Sequence, residues 1–77
     1  MNLDELVSRI KTQVAIGTKN RERMVTFHYM VLSNARMLSG MDPVEFCRKV
    51  GVPDSYAIEF KKMLPLAAMV SANRVFP

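Results

Sequence analysis

The chain has 77 residues, a formal net charge of +4, one cysteine and one histidine. That length makes one domain, which buries only about 60% of its unfolded surface. The composition excludes an intramolecular disulfide and a Cys/His zinc set.

Apolar residues make up 49% of the chain, seven of them Met. So small a fold hides that load poorly, and self-association or docking on another protein is expected. Asp4 and Glu5 stand where a signal peptide would carry its basic region, and no apolar run approaches the ~18 residues that span a bilayer. The expectation is a cytoplasmic protein with no membrane partner and no cofactor.

The first predicted helix runs from Asn2 to Gly17, capped by Asn2 or Asp4. Leu3, Leu6, Val7, Ile10 and Val14 fall on one face at helical spacing. The polar loop Thr18 to Arg23 follows, where Arg21 and Arg23 could touch phosphates without choosing a sequence. A second helix is expected from about Asn20 to Ser39, stopped by Gly40, with Met24, Phe27, His28, Val31, Ala35 and Leu38 on its stripe. Val25, Met30 and Leu32 widen the apolar arc and make this helix the hydrophobic spine. A lone histidine on such a stripe is expected to be a hydrogen-bonded core residue, not a base or a ligand.

Residues 42–63 predict two short helices joined by a tight turn. Asp42 suits the N-cap, Pro43 the first helical position and Glu45 the partner that reaches back. Gly51 supplies the left-handed residue that ends the first helix. Asp54 and Ser55 can satisfy the free amides of the second, whose apolar positions are Ala57, Phe60 and Met63. Leu64-Pro65 should then break the chain, and a last helix from Pro65 to Ala72 is uncharged and expected to be buried. Val75-Phe76-Pro77 forms a short apolar tail.

The pattern within 42–63 resembles the helix-turn-helix of bacterial and phage DNA-binding regulators. In those, a small residue lies four before the turn glycine, with apolar residues beside it and on either side of the glycine. Further apolar residues follow six and nine positions beyond the glycine. Cys47, Phe46, Val50, Gly51, Val52, Ala57 and Phe60 fill those places. Two helices crossing near a right angle need a small contact residue and a turn with positive φ. The expected fold is a single all-α domain over 1–77, a compact bundle of four to five helices containing the helix-turn-helix.

The resemblance implies a small regulator of transcription bound to double-stranded DNA, expected as a homodimer. The helix from Asp54 would lie in the major groove with Ser55, Tyr56, Glu59 and Lys62 towards bases or backbone. Arg48, Lys49 and Lys61 would hold phosphates. The alternative is a helical adaptor or inhibitor that binds another protein, its helix-turn-helix purely architectural; the methionines and the uncharged last helix favour it. No catalytic constellation is present in the pattern: the carboxylates read as caps and helix-face charges, and Cys47 as a buried, inert thiol. An enzyme is not expected.

Overall fold

The computed structural model describes residues 1–71. Within them the chain forms α1 (Leu3–Lys19), α2 (Arg23–Ser33), α3 (Ala35–Leu38), α4 (Pro43–Val50), a 3-10 turn at Asp54–Tyr56, and α5 (Ala57–Ser71). The described residues contain no strand, and the all-α bundle expected from the sequence is what forms. The tail at Val75–Pro77 lies outside the described residues.

Helix α1 begins as its residues dictate. Asn2 accepts from the Glu5 backbone N–H at 2.8 Å and donates to the Glu5 carboxylate at 3.0 Å, so the two satisfy each other. Its far end differs from expectation. Gly17 does not stop the helix, which continues to Lys19. Gly17 is buried at the crossing with α2, where a Cβ would overlap Thr26 Oγ1 and stand 2.9 Å from Thr26 Cβ. The reversal is made instead by Arg21, at φ 59°, while the Glu22 N–H donates to the Gly17 carbonyl at 2.7 Å.

The long second helix expected over 20–39 is divided at Asn34. In an unbroken helix the Asn34 backbone N–H would bond the Met30 carbonyl. The Asn34 side chain takes that carbonyl at 2.8 Å, and the backbone N–H turns to Val31 at 3.3 Å. A local side-chain bond has displaced the helical one, and α3 restarts after Asn34.

Helix α4 and its turn follow the sequence closely. Asp42 Oδ2 accepts from the Glu45 N–H at 2.9 Å, and Pro43 opens the helix. Gly51 ends it at φ 80° and ψ 29°. The Val52 N–H reaches back to the Cys47 carbonyl at 3.0 Å and the Gly51 N–H to Arg48 at 3.4 Å. That pair of bonds is the Schellman arrangement. Glu45 does not reach back to the cap; its carboxylate pairs forward with Lys49 at 3.2 Å.

Helix α5 corrects two expectations. It runs through Pro65 without a break, so the predicted fourth and fifth segments are one helix. Pro65 lies on the solvent side, and the carbonyl it leaves without an amide partner belongs to exposed Lys61, where water can serve it. The uncharged stretch after Pro65 is not fully buried either: Ala67 is, but Ala68, Met69 and Val70 are exposed.

The core is an aromatic chain across three helices. Phe27 of α2, Phe46 of α4 and Phe60 of α5 are each fully buried. Their ring centroids lie 5.8 Å (Phe27–Phe46) and 4.8 Å (Phe46–Phe60) apart. Such tilted pairs add about 0.5–1.5 kcal/mol each beyond area burial. Ile10 and Val14 of α1 cover one side, with Leu6 and Val7, while Leu3 remains exposed.

Candidate nucleic-acid interface

The seven residues that match the helix-turn-helix pattern do what the pattern requires. Phe46, Cys47, Val50, Val52, Ala57 and Phe60 are buried together, and Gly51 makes the left-handed turn between the helices. Cys47 is the small residue at the close approach. Burial, with the Asp54 charge nearby, pushes its thiol pKa up and keeps it in the unreactive protonated form.

With Phe60 and Ala67 held inside, the opposite line of α5 faces out. At 100° per residue that line passes through Ile58, Lys62, Pro65 and Met69, with Lys61 beside it. All five are exposed, as is Ser55 in the turn just before the helix. Lys61 forms no ion pair with the described residues.

The remaining candidates are placed differently. Tyr56 is turned inward, 8% exposed, its ring edge-on to Phe27 at 5.1 Å. Its hydroxyl accepts from Arg23 Nε at 3.0 Å, and the guanidinium lies 5.3 Å from the ring centroid. Tyr56 therefore packs the turn before α5 on α2, and Arg23 is its partner. Nothing local in the sequence joins two residues 33 positions apart; only the α2–α5 packing does.

Glu59 is also engaged within the protein. His28 Nε2 donates to its Oε1 at 2.8 Å, and Lys62 Nζ stands 3.5 Å from Oε2. The His28 bond first, and the Lys62 charge after it, hold the Glu59 carboxyl below the usual carboxylate range. His28 is thus a half-exposed strap between α2 and α5, not a fully buried core residue.

Arg48 forms two bonds to Asp54, Nη2 to Oδ2 at 3.0 Å and Nε to Oδ1 at 3.3 Å, closing the mouth of the turn. The Arg48 hydrogen bond holds the Asp54 carboxyl below its ordinary pKa. Asp54 is not a side-chain cap for the following turn. Arg48 and Lys49 stay exposed despite their partners, and Arg21 lies exposed in the α1–α2 loop, away from the helix-turn-helix in sequence. Both carboxylates between 48 and 62 are thus matched by cations. Their negative charge is met within the protein and is not left open on the α5 face.

Among the described residues no group of three His, Cys, Asp or Glu side chains could hold a metal ion. No helix among them is long and apolar enough to cross a membrane. One family model matches the chain, that of an HTH-like domain, over residues 2–73. No curated protein and no solved structure matches.

Proposed function

The chain belongs to the HTH-like domain family, and from that premise we propose that it binds double-stranded DNA as a small regulator of transcription, without catalytic chemistry of its own. The observation that carries this reading is the division of α5: its inner line is locked by Phe60 against Phe46, and its outer side presents Lys61 and Lys62 to solvent, with Ser55 exposed in the turn before it. A helix so anchored can enter a major groove with little ordering cost. Lys61 and Lys62 meet phosphate, joined by Arg48 and Lys49 where their surface pairs exchange carboxylate for phosphate. Arg21 adds a phosphate contact from the α1–α2 loop. Exposed pairs of this kind are held only weakly, so the exchange is easy.

The active form is a homodimer. Val25 and Tyr29, each 65% exposed on α2, together with Met69 on α5, supply apolar surface suited to a second copy. Sedimentation at micromolar concentration checks this; a clean monomer removes the dimer.

Binding to a pool of random duplexes at two salt concentrations tests the DNA reading. The expected result is enrichment of a sequence, with a salt slope that falls by about one unit in Lys61→Ala. If the protein enriches nothing and binds bulk duplex no better than a control of similar charge, the reading fails. The exposed apolar residues of α2 would then favour a protein partner.

A further inference from the structure

Ile58 is the one exposed large apolar side chain on the first turn of α5, and it is 60% exposed. It is the second residue of the helix, with Ser55 just before it and Lys61 and Lys62 beyond. Its neighbours Ala57 and Phe60 are core residues, so helical geometry turns Ile58 away from every apolar contact that holds α5 in place. This aliphatic group lies outside the hydrophobic core.

We propose that Ile58 reads the 5-methyl group of a pyrimidine, normally thymine, in the major groove. This rests on the DNA reading above and says what the bound sequence contains. Three features support it. The 5-methyl is the apolar mark in a groove otherwise lined with donors and acceptors, and aliphatic side chains are its natural partners. A β-branched side chain has few rotamers to lose when it is pinned there. The one carboxylate on this turn of α5 that would favour unmethylated cytosine by accepting from its amino group, Glu59, is already engaged by His28 of α2. With Glu59 held towards α2, the aliphatic side chain of Ile58 is the group on this turn suited to discriminating pyrimidines.

The test starts from a duplex enriched by the wild-type protein. Each thymine is replaced in turn by deoxyuridine, which removes only the methyl group. At one position per bound chain, affinity should fall about fourfold, the effect of one buried methyl. Ile58→Ala should bind both duplexes equally while keeping the wild-type salt slope, and Ile58→Val should retain part of the preference. A C·G pair at that position should bind better when its cytosine carries a 5-methyl group, because the same contact is restored. If uridine is neutral everywhere, or if Ile58→Ala keeps the full uridine penalty, Ile58 does not read a methyl group and only this inference falls. If no duplex is enriched at all, it falls together with the DNA reading.

Discussion

At the crossing of α1 and α2, Gly17 has helical neighbours and no room beside it; at the turn between α4 and α5, Gly51 has open space on every side and φ 80°. Both residues stand near a helix end, and the sequence suggests a stop at each. Only Gly51 is a stop. Gly17 allows two backbones to approach, with Thr26 and the Glu22 carbonyl against it. A missing side chain therefore serves space at one helix end and backbone angle at another.

The difference can be broken by substitution. Gly17→Val should have the largest effect, because the new branches meet Thr26 and backbone and cannot be placed without moving α2. Overpacking of this kind costs roughly 3 kcal/mol, about 12 °C or more of melting temperature in a domain this small. Gly17→Ala should cost less, and Thr26→Ala should recover part of the loss; the two together distinguish crowding from backbone strain. A thermal melt of the four proteins checks this.

Gly51→Val should cost about 1–2 kcal/mol from the left-handed angle alone. No neighbouring substitution should recover it, since nothing stands within 4 Å of the added Cβ. Gly51→Asn should lose only a few tenths of a kcal/mol, because Asn tolerates that region. If valine melts with the wild type, the turn does not require glycine and the contrast with Gly17 is lost.

A smaller effect reads the His28–Glu59 strap between α2 and α5 by pH. The Glu59 carboxyl is held below its ordinary range by His28 and then Lys62, so the folded state favours its ionised form. Its contribution to stability is present above the ordinary carboxylate pKa and is lost as pH falls through the lowered, folded-state value. Asp54, lowered by Arg48, acts in the same direction. Glu59→Gln should therefore flatten the acid limb of a stability–pH curve while leaving the neutral-to-alkaline side nearly parallel to wild type. An acid limb as steep as that of the wild type would show that the strap between α2 and α5 carries no linkage.

The helix-turn-helix was legible because its determinants are local. Asp42, Pro43 and Gly51 act on backbone within a few residues, and the buried set from Phe46 to Phe60 lies within 15 positions. The candidate contact set was legible only in part. Ser55, Lys61 and Lys62 could be placed outward by helical period alone. Tyr56 and Glu59 could not, because their partners Arg23 and His28 lie on α2, more than thirty residues earlier.

By itself the sequence determined an all-α chain, its principal caps, the left-handed turn at Gly51 and the residues of the aromatic core, since each follows from side-chain chemistry acting over one or two helical turns. Tertiary structure decided where α1 ends, that the spine divides at Asn34, that α5 continues through Pro65, and which polar residues of α5 face solvent. Those outcomes depend on which helix lies across which. A proline on the outer line of α5 is tolerated because water can reach the carbonyl of Lys61. A tyrosine with a hydroxyl to bond turns inward because Arg23 is there to donate to it.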